Sequence, residues 1–150
     1  MLNQSLIKLF ERDLEKLKSE ILLFNDESNL WVTAGDVTNS PGNLCLHICG
    51  NLKHFIGHIL GGTDYVRERA NEFSLKNIPL KNLIKNCDET LSVVKSTLEN
   101  LGEKEFQNIY PINVFKEEMT TEFFLIHLTT HLSYHLGQIN YHRRLLFSEQ

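Results

Sequence analysis

A chain of 150 residues with a formal net charge of −4 and no block of basic residues lacks the electrostatic features expected of a nucleic-acid-binding protein. Its 41% hydrophobic and 23% charged composition is ordinary for a globular protein, and its length predicts a single domain over residues 1–150. No apolar run is long enough to span a membrane, the first ten residues do not resemble a secretory signal, and three cysteines cannot form a fully paired set of disulfides. We therefore expect a cytoplasmic protein.

The first half of the chain contains two predicted helices separated by a long loop. Apolar residues recur at helical spacing over residues 2–21, with charged residues on the opposite side. Residues 25–42 are mostly polar or turn-forming, which indicates a loop. A second helix is predicted to begin at Ser40 and Pro41, because serine suits an N-cap and proline suits the first turn. It is predicted to end at the glycine pair 61–62, after which a charged segment leads away.

The second half contains two more predicted helices. Pro79 introduces a helix with one apolar side, which is predicted to close at Gly102. Residues 103–119 show no sustained period and are predicted to be a loop with a short extended piece. Thr120 or Thr121 can cap a last helix that runs to Arg144. Four strong helical segments without alternating strand patterns predict an all-α fold, a four-helix bundle, in which metal sites are built from side chains of facing helices.

Four of the seven histidines lie in the last predicted helix, at positions 127, 131, 135 and 142. At about 100° per residue, His131, His135 and His142 share a face with apolar residues such as Phe124. A bundle core offers few partners for imidazole nitrogens, so their burial is costly unless a ligand binds them. His131 with His135, or His127 with His131, has the spacing that lets two imidazoles reach one metal ion. A third ligand must then come from another part of the fold.

The second helix holds the three remaining histidines, His47, His54 and His58. His47 and His58 are separated by about 16 Å along a helix axis, whereas the ligands of one ion each lie about 2 Å from it. The three therefore cannot all bind the same ion. His54 and His58 are one turn apart, so the spacing also allows a separate site on this helix. The residues alone leave the third ligand undecided.

Two motifs resemble those of a known family, the DinB-like superfamily of bacterial four-helix-bundle proteins. In the last helix, residues 131–138 read HLSYHLGQ and resemble the family's HxxxHxGQ signature. In the second helix, residues 46–52 read LHICGNL and are similar to the HLxGNL form of one branch. The likeness covers residues 40–144 and implies a four-helix bundle of the DinB type.

The resemblance also implies the metal ligands, which are His47, His131 and His135, with solvent or substrate completing the shell. Three neutral imidazoles suit zinc, nickel or ferrous iron, and an ion with an open position activates a bound thiol or water near neutral pH. Characterised members of the wider superfamily are transferases and isomerases that use small thiols such as mycothiol or bacillithiol. We therefore expect a metal-dependent thiol S-transferase or related detoxification enzyme that acts on a small-molecule electrophile. The alternatives are a non-catalytic metal or small-ligand binding module that acts through protein contacts, and a metal-dependent hydrolase.

The other histidines and Gln138 receive structural interpretations. His54 and His58 are expected at a cleft mouth, a subunit contact or the solvent edge. His127 and His142 are expected either to line a pocket and support the ligands or to be hydrogen-bonded core residues. Gln138 is expected to bond the adjacent helix rather than a ligand.

The cysteines and three apolar residues of the last helix complete the predictions. Cys45 and Cys49 project about 160° from His47 on a helix, so they cannot share its metal ion. They are predicted to be small buried apolar residues, as is Cys87. A homodimer is expected, and three apolar residues that lie off the histidine face are predicted to supply its surface: Leu125, Leu136 and Phe147.

Overall fold

The computed structural model describes residues 1–147 and has an all-α fold. Residues 148–150 of the predicted domain lie outside the described part. The helices are α1 (Leu2–Leu22), α2 (Pro41–Leu52), α3 (Arg69–Ser74), α4 (Leu80–Asn100), α5 (Glu103–Gln107) and α6 (Thr121–Phe147). A 3₁₀ helix covers Glu27–Trp31, and a π-helical segment, Lys53–His58, continues α2. Residues 1–147 contain no strand, but Ile109 and Thr120 form an isolated antiparallel bridge.

Helices α2 and α6 begin where the sequence predicts, because an N–H group in the first turn of each finds a side-chain acceptor. The hydroxyl of Ser40 accepts from the backbone N–H of Asn43 at 3.2 Å, and Pro41 occupies the first turn of α2. The hydroxyl of Thr120 accepts from the N–H of Phe123 at 3.1 Å, so Thr120 rather than Thr121 caps α6. These two caps fix the starts of the helices that carry the candidate site.

One cluster of buried apolar side chains lies between α1, α2, α4 and α6. Helix α1 packs against α4 and α6, and α2 packs against α4, α6 and the short α3. Apolar side chains at helical spacing supply this core because each helix buries one stripe. Among the side chains with almost no exposed surface are Phe10, Leu14, Leu17, Phe124, Leu128 and Leu132.

The second predicted helix changes its winding after Leu52. The N–H groups of Ile59 and Gly61 donate to the carbonyls five residues earlier, of His54 and Ile56, at 3.0 and 2.9 Å. Such i→i+5 bonds widen the turn and rotate the residues that follow relative to an α-helix. The side chains of residues 54–58 therefore point in directions that differ from those predicted by α-helical spacing.

Three short helices lie outside the four predicted ones, two of them in predicted loops and the other in the charged segment after the second predicted helix. They cover residues 27–31, 69–74 and 103–107. The predicted extended piece within residues 103–119 corresponds to the bridge at Ile109, next to which the N–H of Tyr110 donates to the carbonyl of Met119 at 2.9 Å. Across the described chain, no helix combines the length and apolar character that a membrane span requires.

The predicted dimer surface is wrong for at least one of its three residues. Leu125 has 0% exposed surface and belongs to the core. Leu136 and Phe147 also pack against that core, and the ring of Phe147 lies 5.8 Å from that of Phe24. The reason is that this side of α6 faces α1, so it is occupied within the chain.

A buried carboxylate, that of Glu20, joins α1 to α6. It accepts hydrogen bonds from Asn140 at 2.8 Å and Arg143 at 2.9 Å, and its residue is 1% exposed. Burial alone raises the pKa of Glu20, but the hydrogen bonds from Arg143 and Asn140 outweigh it and the net shift is downward. This contribution to stability is present above the ordinary carboxyl pKa and is lost as the pH falls through the folded-state pKa.

We expect Glu20→Ala to lower the free energy of unfolding by about 1–2 kcal/mol, because it removes charge-assisted hydrogen bonds between two core helices. Urea denaturation monitored by circular dichroism measures the change. Glu15→Ala on the same helix is the control, since its ion pair with Lys18 is exposed and 3.6 Å long. Equal stability of the two variants would contradict the assigned role of Glu20.

Candidate metal centre

Three imidazoles from two helices converge at one point. His47 lies on α2, and His131 and His135 lie one turn apart on α6. The Nε2 atom of His131 lies 3.2 Å from Nε2 of His47 and 3.1 Å from Nε2 of His135. One ligand atom from each of the three lies within 4.8 Å of the others. Three nitrogens about 2.0–2.1 Å from a tetrahedral ion would be about 3.3 Å apart, so the spacing fits one ion.

The second ring nitrogen of two of these histidines faces an oxygen acceptor. Nδ1 of His47 lies 3.0 Å from Oε1 of Glu72, and Nδ1 of His135 lies 2.8 Å from Oε1 of Gln138. A neutral imidazole that donates through Nδ1 has a lone pair on Nε2. His47 and His135 therefore both aim lone pairs at Nε2 of His131.

This arrangement leaves too few protons for the three Nε2 atoms. A neutral His131 has at most one hydrogen on Nε2, which satisfies only one of its two neighbours. Burial and the nearby imidazoles lower the pKa of His131 to about 3, and burial also lowers the pKa of His135. Both rings are thus neutral at pH 7, the form that binds a metal ion. A cation held between the three Nε2 atoms would resolve the conflict.

An ion pair supports His47 from behind. Arg67 donates to both carboxylate oxygens of Glu72, each at 2.9 Å, and Glu72 in turn accepts from His47. Burial raises the pKa of Glu72, but the hydrogen bonds from His47 and Arg67 outweigh it, so the net shift is downward and the carboxylate stays ionised. A carboxylate on the far nitrogen of a ligating imidazole fixes its orientation and increases its basicity.

Gly50 makes room for this carboxylate. A Cβ atom at Gly50 would collide with a carboxylate oxygen of Glu72 and lie 2.7 Å from its Cδ atom. The segment that approaches closely at this glycine is α3. At Gly57 the neighbour is α4, because a Cβ atom there would lie 2.6 Å from Cγ1 of Val93.

The other four histidines do not join the cluster. The ring of His54 stacks on that of His58 at 6.0 Å, and Nδ1 of His58 bonds the carbonyl of Thr63. His127 stacks on Phe124 at 5.8 Å. His142 is buried, and its Nε2 atom lies 2.8 Å from the carbonyl of Val32, so it anchors the loop before α2.

The cysteines form a second group of ligand-type side chains. All three are buried, as predicted, and the sulfur of Cys87 lies 3.7 Å from that of Cys45 and 3.9 Å from that of Cys49. They lie close enough together to hold a metal ion. This group lies between α2 and α4 and includes none of the histidines.

A cavity of about 620 Å³ opens beside His135. One wall comes from residues 34–39 and the start of α2, and the other from the second half of α6. Asp36 is the one Asp, Glu, Lys or Arg side chain among the residues that line it: Ala34, Gly35, Asp36, Val37, Thr38, Asn39, Pro41, Leu44, His135, Gln138, Tyr141, His142, Leu145 and Leu146. The cavity is thus mostly apolar and reaches a member of the histidine cluster.

One polar atom near His47 has no partner in the described structure. Asn51 follows His47 by one helical turn, is 7% exposed, and its amide oxygen accepts no hydrogen bond from residues 1–147. An unpaired buried acceptor is unfavourable.

These features define an all-α protein with a three-histidine cluster that could hold a metal ion. A family model described as "Protein of unknown function (DUF1572)" matches residues 3–150, and the chain belongs to this family. No curated protein matches the chain.

Two residues of the site escaped the sequence analysis. Glu72 and Arg67 lie in the charged segment after the second helix, which gave no periodic signal. Gln138 was expected to bond the adjacent helix, but its partner is His135 of its own helix. The one available signal for Glu72 was Gly50, because a glycine on a helix face lets another segment approach closely there.

Proposed function

We propose that this protein binds one divalent transition-metal ion, zinc, nickel or iron, through His47, His131 and His135. The observation that carries this proposal is the convergence of three Nε2 atoms at 3.1 and 3.2 Å, two of them with the far nitrogen facing an oxygen acceptor. Three protein ligands leave a position open, which is typical of catalytic rather than structural sites.

We further propose that the fold is the four-helix bundle of the DinB type. The HxxxHxGQ resemblance supports this, because its two histidines lie in the cluster and its glutamine contacts one of them. The second motif also fits, since His47 is in the cluster, and Gly50 faces the carboxylate that His47 contacts.

We propose that the reaction is transfer of a small-molecule thiol to an electrophile, and that the protein works in the cytoplasm. The metal, when bound, would lower the pKa of a thiol and supply a nucleophile near neutral pH. The cavity beside His135 would hold the electrophile. Because Asp36 is the one charged lining residue of the cavity among residues 1–147, the cavity suits an uncharged, largely apolar molecule better than an anion. Three free, buried cysteines agree with a reducing compartment.

The test is turnover by protein loaded in turn with zinc, nickel or ferrous iron. We expect metal-dependent conjugation of an uncharged apolar electrophile with at least one member of a panel of small thiols, and slower reaction of an anionic analogue of similar size. His135→Ala is the matched inactive control. If no thiol reacts although one metal ion per chain is bound, thiol transfer is wrong, and the protein is instead a non-catalytic metal-binding module or a metal-dependent hydrolase.

A further inference from the structure

Helix α6 carries a line of apolar residues on its solvent side as well as its buried face. We call this line the outer stripe, and it consists of Phe123, Ile126, Thr130, Tyr134, Gly137, Tyr141 and Leu145. Its large side chains are well exposed: 56% for Phe123, 66% for Tyr134, 64% for Tyr141 and 77% for Leu145. Single exposed apolar residues are common on protein surfaces, but several large ones along one helix face, interrupted here by Thr130 and Gly137, indicate an interaction site.

The spacing of the outer stripe keeps it straight along the helix. Successive members are three, four and four residues apart, and this pattern occurs twice, so Phe123, Tyr134 and Leu145 are separated by equal steps of eleven residues. An eleven-residue repeat has about 3.67 residues per turn, close to the 3.6 of an α-helix. The stripe therefore faces one direction over about 33 Å, long enough to lie against another helix along its length.

Gly137 lies within this stripe, and packing among residues 1–147 does not explain why this position is a glycine. A Cβ atom there would meet no atom of the described residues within 4 Å. Glycine in the middle of a helix costs about 0.5–1 kcal/mol relative to alanine. A missing side chain on an exposed helix face is explained if the backbone of another helix approaches closely there.

We propose that the outer stripe is the interface of a homodimer in which α6 of a second copy packs antiparallel across it, with the two-fold axis at Tyr134. Because Phe123 and Leu145 lie at equal distances from Tyr134, Phe123 of each copy faces Leu145 of the other in this arrangement, and Tyr134 faces its own equivalent. The two copies then use the same patch of surface, as a two-fold interface requires.

Charge also favours the antiparallel arrangement. Glu122 lies in the first turn of α6 and Arg144 in its last turn. Antiparallel packing brings the acidic end of each helix near the basic end of the other and opposes the two helix dipoles. The aromatic and aliphatic side chains of the stripe offer roughly 500 Å² of exposed apolar surface per copy. This area is at the lower end for specific interfaces, so we expect a dimer that dissociates on dilution.

The interface borders the cavity beside His135. Tyr141 and Leu145 belong to the outer stripe and also line that cavity. The second copy therefore lies along the open edge of the cavity and narrows its entrance. Each cavity in the dimer would be bounded on one side by the other subunit.

Sedimentation velocity over a concentration series tests the dimer. We expect the wild type to change from monomer to dimer as concentration rises, and Tyr134→Asp and Gly137→Leu to stay monomeric with unchanged helical content. Gly137→Leu is informative because the added side chain has free space in the monomer. Leu22→Asp is the control, since Leu22 is 57% exposed but lies on α1. A wild type that is monomeric throughout, or variants that still dimerise, would overturn the proposal.

Cysteine cross-linking tests the antiparallel register. Disulfides form when two Cα atoms lie within about 7 Å, so Tyr134→Cys is expected to cross-link with itself under mild oxidation. Phe123→Cys is expected not to cross-link alone but to do so when mixed with Leu145→Cys. The native cysteines are buried and will not interfere. Self-cross-linking of Phe123→Cys would indicate a parallel pair and refute this register. Metal content is measured in parallel, so failure here is distinct from failure of the metal site.

Discussion

His131→Ala is expected to abolish stoichiometric binding of a divalent metal ion while leaving the helical content unchanged. His131 is the central member of the cluster, because its Nε2 atom lies 3.1 and 3.2 Å from those of the other two rings. Without it, two imidazoles on different helices remain, too few for a stable site in competition with water. The change also removes a ring whose nitrogen faces two lone pairs, so the metal-free fold is not expected to weaken much.

Metal content per chain, measured after dialysis against a metal buffer, decides this prediction, and circular dichroism reports the fold. His127→Ala is the matched control. His127 is also on α6, one turn before His131, but it packs against Phe124 and is not in the cluster. We expect one ion per chain in the control and none in His131→Ala. One ion per chain in both variants would refute the proposed site.

Gly50→Ala is expected to weaken metal binding about 10–100-fold although Gly50 is not a ligand. The added methyl group collides with the carboxylate of Glu72, which must move away from His47. His47 then loses the acceptor that holds Nδ1–H and aims Nε2 at the ion. Loss of such an outer partner has an effect of this size in other metal sites. Isothermal titration with zinc and nickel measures the change.

Two further variants distinguish loss of the positioning of His47 from a general destabilising effect of adding a methyl group to a helix. Gly137→Ala adds the same methyl group to α6 in open space, so its metal affinity should equal that of the wild type. Glu72→Gln keeps the shape of the side chain but removes its charge, and it should reproduce most of the loss seen in Gly50→Ala. If Glu72→Gln binds metal as tightly as the wild type, Glu72 does not position His47.

The four long helices could be predicted because each has a helical pattern of apolar residues within its own sequence. Their apolar residues recur over about four turns or more, and Ser40, Pro79 and Thr120 mark the starts of the last three. The helices at 27–31, 69–74 and 103–107 span too few turns for a period to emerge. The π-helical segment depends on what packs around it, including Val93 against Gly57, and local spacing carries no information about that.

The ligands of the candidate site could be predicted from spacing on α6 but not on α2. The spacing of His131 and His135 on α6 was sufficient to pair them. The choice of His47 over His54 or His58 came from the resemblance, because spacing allowed either, and the structure brings His47 to the pair. Metal binding itself stays a prediction. Glu72 could not be found, since it lies 25 residues from His47 in a segment without a pattern.

The support for His47 comes from the connection between α2 and α4 and not from either helix. Arg67 and Glu72 lie on that connection, and it is tied down further where Asn43 donates to the carbonyls of Glu72 and Leu75 at 2.9 and 2.8 Å. An ion that binds more tightly when Glu72 is in place must, by thermodynamic reciprocity, hold Glu72 in place more firmly. Under the proposed metal binding, occupancy of the site and the order of this peripheral segment would form one linked equilibrium, and a chelator is expected to loosen residues 63–79 before it affects the core.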